Sequence, residues 1–356
     1  MLSELVREIN PRPLGLARAL IGSAAVIRGL MALPVLLRLG DPSVVKLPYF
    51  DWTPEPNDLL SFAIVGLWTV AGLLFTLGWR VSISGSVLFA SIAVTLAIDQ
   101  QMYGNHLYLM AWLVLLLTVA RAGSGLNISR RDERVVRWPV ILLMLQVSIV
   151  YGFSALTKVN GDFMSGRVLG GTLGTGLLDF PEALRTPQLM SALAALAVAT
   201  ELFIAIFVWR PRFRSFAFLM GLGLHLSITL LMFGTDQLFV FSVEILGLYP
   251  LFLSSSRISV TWANECSRCE MWLARARKLD IMHLIEFNGP DQDVLEADYR
   301  SSIAVGSDTG TARDFAAVIR VLEHIMPTLW FAAILRIPGL RDLAARWFAK
   351  SQRLAS

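Results

Sequence analysis

What most restricts the fold of this chain is a series of apolar runs, each close to twenty residues long and separated by short polar stretches. A helix needs about 20 predominantly apolar residues to cross the hydrocarbon of a bilayer, at 1.5 Å per residue. Eight such runs can be read, at roughly 14–37, 59–78, 81–98, 106–120, 138–157, 188–209, 215–233 and 237–253. Arg18 and Arg28 interrupt the first. With 55% of its 356 residues hydrophobic, the chain is too apolar for an ordinary soluble globule. The N-terminal "MLSELVREINPRP" is polar and ends in prolines, so no cleavable signal peptide is expected there.

The loops between runs orient the bundle. A cytoplasmic N-terminus puts Arg80, Arg121, Arg130, Arg131, Arg134, Arg137, Arg210, Arg212 and Arg214 on one side. The other side then receives only Lys46, Lys158, Arg167 and Arg185. Basic residues concentrate in cytoplasmic loops, so both termini are expected in the cytoplasm of a multi-pass protein of the cell membrane. The net charge of +4 follows from this topology. No basic patch interleaved with aromatics points to nucleic acid, and none is expected as a partner.

A charge in hydrocarbon costs about 2.5–3.5 kcal/mol on insertion scales, so each one in a span needs a partner or a purpose. Lys158 ends the fifth run, about 28 Å along the helix from Pro139. Asp99 closes the third run and His106, after Asn105, opens the fourth, both at the same outer level. His225 lies near mid-depth in the seventh run. Arg28 and Glu244 fall in the outer half, placed to neutralise each other as a structural charge pair. Each has a plain reading as well: a lysine at a helix end snorkels to the headgroups, and a buried histidine is often just hydrogen-bonded. The chemical reading takes Lys158, partly desolvated, as an amine base, with His106 and His225 moving protons or holding an oxyanion.

From Arg257 the pattern changes to short apolar stretches mixed with charge. "RISVTWA", "IMHLIEF" and "SSIAVGS" read as strands, and "SRCEMWLARARKL" and "TARDFAAVIRVLEHI" as helices. The expected order is strand–helix–strand–helix–strand–helix. Cys266 and Cys269 are the chain's two cysteines, three apart, after a strand and at a helix start, where the dipole favours a thiolate. That arrangement reads as a thioredoxin-like redox pair. Two reduced, idle cytosolic thiols are the alternative. Zinc would need two further ligands, and only His283 and His324 are at hand, so no metal is expected. The tail, "LWFAAILRIPGLRDLAARWFAK", either packs on this domain or lies on the membrane face. The expectation for the whole chain is an α-helical polytopic membrane bundle of about eight transmembrane helices at residues 1–256, both termini cytoplasmic. A small thioredoxin-like α/β domain at 257–356 follows it.

Three segments carry a family resemblance. "YGFSALTKVNGDFMSG" resembles the lysine-bearing segment of the vitamin K-dependent γ-glutamyl carboxylases and their bacterial relatives, the HTTM family. Tyr151, Ala155, Lys158, Phe163 and Gly166 fit, with Phe163 where the pattern usually has Trp. "YGNHLYL" is similar to the family's Asn-His segment, which places Asn105 and His106, and the stretch from "GLHLSITLL" to "LYPLF" places His225. The resemblance implies Lys158 as base toward a reduced quinone of the vitamin K type, with His106 and His225 assisting and Asn105, Tyr151 and Asp99 in support. It also implies membrane lipid, a quinone and a membrane or exported protein or peptide as partners. The carboxylases' large outer domain has no counterpart loop here, so quinol- or lipid-linked chemistry at the outer leaflet is expected in place of glutamate carboxylation. "SVTWANECSRCEMWL" and "ARWFAKSQRL" resemble the DCC family of thiol-disulfide oxidoreductase-like proteins, with Ala263 at that family's aspartate position. Three function classes therefore stand side by side: a carboxylase-like enzyme, a membrane-tethered thiol-disulfide oxidoreductase and a non-enzymatic maturation partner.

Overall fold

The computed structural model describes all residues except 1, 51, 129–131, 233–234, 263–266, 291–302, 308–309 and 354–356. It divides into two compact units. The first comprises Met1–Ala205 and Gly221–Phe252, and the second Ile206–Met220 and Leu253–Ser356.

The apolar runs become α1 (Arg12–Leu39), α2 (Asp58–Leu77), α3 (Val81–Ile98), α4 (Asn105–Val119), α5 (Arg137–Lys158), α6 (Pro187–Phe207), α7 (Pro211–Leu231) and α8 (Thr235–Leu246). Six of these are long and apolar enough to cross a membrane. The exceptions are α4, whose fifteen residues rise only about 22 Å, and α8, which continues into a 3-10 turn at Tyr249–Leu253. The eight expected spans are thus six full-length helices and two shorter apolar ones.

Within the first unit α1 packs against α2, α4 and α8, and α2–α3–α4 follow as antiparallel neighbours. Arg18, fully buried, explains how α1 tolerates a charge. Its guanidinium donates to the carbonyls of Thr76, Ala122, Gly125 and Leu126, tying the ends of α2 and α4 to α1. A fan of backbone acceptors is what a planar five-donor group needs when water is excluded. Gly78 is required at the end of α2 for two reasons: its φ is +75°, and a Cβ there would run into the Arg18 guanidinium.

The glycine-rich segment after Lys158 forms two short helices, Gly161–Met164 and Arg167–Thr172. It then bridges back to α7 through Leu173 and Met232. Phe163, Leu169 and Leu173 bury against Met190, Ala194 and Val198 of α6. The first half of the loop is therefore packed.

The second unit has a four-stranded sheet in the order β2–β1–β3–β4, from β1 (Ile258–Trp262), β2 (Ile285–Pro290), β3 (Ile303–Ser307) and β4 (Gly310–Arg313). β1 runs parallel to β2 and antiparallel to β3, and β4 is antiparallel to β3. A parallel neighbour requires a crossover, supplied here by α9 (Ser267–Leu279). α10 (Asp314–Leu322), α11 (Leu329–Leu335) and α12 (Pro338–Arg353) complete the unit. The core gathers Ile258, Val260, Cys269, Leu273, Ile303, Val305, Ala317 and Val321. Glu323, between α10 and α11, accepts from Nε and Nη2 of Arg336 and from Ser215. The strand expectations hold. β4 is an addition, because residues 311–313 extend as a strand where a helix was expected. The segment expected to be helical between β2 and β3 lies outside the described residues, as do Ala263, Cys266, Arg130 and Arg131.

Candidate functional site

Tyr151, Ser154 and Lys158 stand at i, i+3 and i+7 on α5, a spacing that puts them on one face. Lys158 does not extend past the helix end. Its Nζ lies 2.5 Å from Glu201 Oε1 and 2.7 Å from Ser154 Oγ. Ser154 in turn donates to the same Glu201 oxygen at 3.0 Å. The Lys158 side chain keeps 27% of its exposure and Glu201 only 4%, so the cation is partly exposed and its anion buried. Phe163, first residue of the packed loop to reach back, places its ring 5.7 Å from the ammonium. Glu201 Oε2 is buried and has no hydrogen-bond partner among the described residues.

About 10 Å deeper along α5, Tyr151 opens a second polar group. Its hydroxyl lies 2.9 Å from His225 Nε2 and 2.8 Å from the Tyr249 hydroxyl. His225 Nδ1 lies 3.0 Å from Ser242 Oγ, and Ser242 donates to the Leu238 carbonyl. The proton positions follow by elimination. A carbonyl only accepts, so the Ser242 proton is committed to Leu238, and Ser242 Oγ must accept from Nδ1–H. Nε2 is then the acceptor for Tyr151, whose own oxygen accepts from Tyr249. The neutral Nδ1–H tautomer of His225 is thereby fixed at both ring nitrogens.

His106 reaches the same region from the start of α4. Its ring lies tilted against Phe241 with centroids 4.1 Å apart, and Phe241 also meets His225 edge-on at 5.6 Å. One phenyl ring thus touches both imidazoles. His106 is half-buried, and no hydrogen bond reaches its ring among the described residues. Lys158 and His106 are both near enough to act electrostatically on His225, and Arg28 on His106.

The other sequence candidates have quieter places. Asn105, exposed at the start of α4, accepts from the Tyr103 hydroxyl. Asp99 is buried, and its two oxygens accept from the backbone N–H groups of Gln101 and Leu47, capping one turn and pinning the α1–α2 loop. Arg28 and Glu244 feel each other's charge, but no ion pair within 4 Å joins them, and Glu244 Oε2 is buried without a partner among the described residues. In the second unit Cys269 is buried and disulfide-bonded, while Cys266, the chain's only other cysteine, lies outside the described residues.

Sequence reasoning passed over Glu201, Ser154, Tyr249, Ser242 and Phe241. Glu201 carried a signal: a carboxylate inside "AVATELFIAIF" is a charge in a span and demands a partner.

Residues 6–256 match the HTTM domain. The chain belongs to the HTTM family. The match takes in all eight apolar helices and every residue of the cluster just described, and it ends where the second unit's sheet begins. This HTTM protein is therefore a multi-pass membrane protein of the group associated with vitamin K-dependent carboxylase-like proteins. No curated protein and no solved structure matches it.

Proposed function

We propose that this HTTM protein is a membrane enzyme of the carboxylase-like class, acting on a quinol- or lipid-linked substrate at one leaflet with Lys158 as its base. The observation that carries the reading is the direction of Lys158: inward, onto a buried carboxylate, where a headgroup anchor would point outward. A lysine in direct contact with a carboxylate has somewhere to send a proton. An N–H bond of the ammonium breaks as an O–H bond forms on Glu201, leaving an amine lone pair without movement of heavy atoms. That amine can then take the proton of a substrate hydroxyl.

The surrounding donor set suits a reduced quinone. Lys158 supplies a base, Phe241 an aromatic face, and His106 a ring without a hydrogen-bond partner among the described residues that can donate to an oxyanion. When bound, a quinol supplies an acidic hydroxyl and reducing electrons. His225 has both ring nitrogens engaged, so its part is to hold Tyr151 and the tautomer chain in place. The test is oxidation of a reduced naphthoquinone under oxygen by the full chain in proteoliposomes. Turnover should fall by about 10²-fold or more in Lys158→Ala. Undiminished turnover in that variant removes Lys158 from the chemistry.

A second reading, a membrane-tethered thiol-disulfide oxidoreductase of the DCC type, draws support from the second unit. Cys269 is disulfide-bonded in the first turn of a helix that follows β1 and leads to a parallel strand. Oxidation of the quinol unaffected by Lys158→Ala but abolished by Cys269→Ser favours this reading.

A further inference from the structure

The last helix carries an apolar stripe that none of the described residues of its own unit covers. Ile337, Leu340, Leu343 and Trp347 recur at helical spacing from the start of α12, and all are exposed, Leu343 at 66% and Trp347 at 72%. They are large, and one is a tryptophan, the side chain that favours the boundary between headgroups and hydrocarbon. A neighbouring face of the helix is anchored: Phe348 packs on the unit's core and lies tilted against Phe315, 5.9 Å between centroids. The helix is therefore held with its stripe facing outward.

The charges decide what the stripe meets. Arg346 follows Leu343 by three residues and Lys350 follows Trp347 by three, so each cation sits one turn along from an exposed apolar residue. Arg341 flanks the stripe on its other side. The helix has one acid, Asp342, and Arg341 pairs with it at 3.1 Å. Apolar residues bordered by unopposed cations fit a surface that is greasy below and anionic above. A protein groove could take the leucines and Trp347, but it would not by itself call for cations on the border. The chain also carries six helices long and apolar enough to cross a membrane, so such a surface is always within reach.

We infer that α12 is an interfacial helix that lays Leu340, Leu343 and Trp347 into an anionic lipid leaflet, with Arg346 and Lys350 on the headgroup phosphates. The inference does not depend on the reaction proposed above. It makes the second unit a membrane-docked unit whose attachment follows lipid charge.

The test uses the full chain in nanodiscs, with Cys266→Ser and Cys269→Ser and one new cysteine carrying an environment-sensitive fluorophore. Leu343→Cys places the label on the stripe, and Ala349→Cys places it on an exposed position away from the stripe. In discs of phosphatidylcholine with phosphatidylglycerol, doxyl-lipid quenching should be severalfold stronger at 343 than at 349. It should drop in phosphatidylcholine alone and on adding Arg346→Gln with Lys350→Gln. A label at 343 that stays water-exposed overturns the proposal, as does one that is shielded without lipid quenching, the outcome expected for a second copy of the chain. Equal quenching in both lipids overturns the electrostatic part. Hydrogen exchange of α12 in the unmodified chain gives an independent readout: slower exchange in the anionic discs supports docking, and equal exchange in the two lipids contradicts it.

Discussion

At the scale of single residues, the site is organised by where each proton can go. Lys158 was recognisable in the sequence because a lysine closes an apolar run beside a familiar motif. Its partner was not, because Glu201 lies 43 positions away on a different helix and no local spacing links the two. The same is true of the tyrosine pair, since a tyrosine after "EILGL" reads as a membrane-boundary aromatic until Gly221 lets α7 come close to its hydroxyl. The tautomer chain makes a discriminating prediction. Tyr151→Phe removes the hydroxyl that serves both His225 and Tyr249 and leaves the buried His225 Nε2 without its partner, at about 1–3 kcal/mol. Tyr249→Phe leaves Tyr151 still donating to His225, so it costs less, about 1 kcal/mol. Unfolding of the two variants in bicelles should rank them in that order. Equal losses would show that the hydrogen bonds do not run in the direction assigned.

At the scale of elements, helix placement was largely legible, because an apolar run bounded by arginines and glycines has few other fates in a membrane. What the runs did not reveal was that α4 and α8 are shorter than the other six helices. A hydropathy pattern counts apolar residues and does not see where a helix ends in a 3-10 turn. β4 was missed for a related reason: Thr311–Arg313 precede a strong helical pattern, and they extend only because β3 offers an antiparallel edge. The junction of α10 and α11 carries its own pH test. Burial pushes the His324 imidazole down to about 4, while its Nδ1 donates to the Arg320 carbonyl. The folded chain therefore declines a proton that the unfolded chain accepts. Stability from this residue is complete above about pH 6.5 and is lost as pH falls toward 4, by up to about 3 kcal/mol. Burial raises the neighbouring Glu323 carboxyl, with Arg336 opposing, and that term has the opposite sign on acidification. Comparison with His324→Gln cancels it. Wild type should lose more stability than the variant between pH 6.5 and 4, and parallel curves would count against a neutral buried His324.

At the scale of the whole molecule, the bias of arginines toward alternate loops of the eight apolar runs leads to one expectation. Both ends should be found on the same face of the membrane, with Lys158 near the other. Tags at the two termini, probed by protease in sealed vesicles of known orientation, should be cut together or protected together. Cleavage of only one would require an odd number of crossings. The function rests on a narrower point, that Lys158 is held inside the bundle by Glu201. The most direct measurement is a double-mutant cycle on global unfolding in bicelles, with Lys158→Ala, Glu201→Ala and the double variant. Breaking a largely buried pair by removing one partner costs about 3 kcal/mol or more, so the two single changes should be strongly non-additive, with a coupling of about 2 kcal/mol. Additive losses would mean that the lysine and the glutamate do not meet, and Lys158 would revert to an anchor at the headgroups.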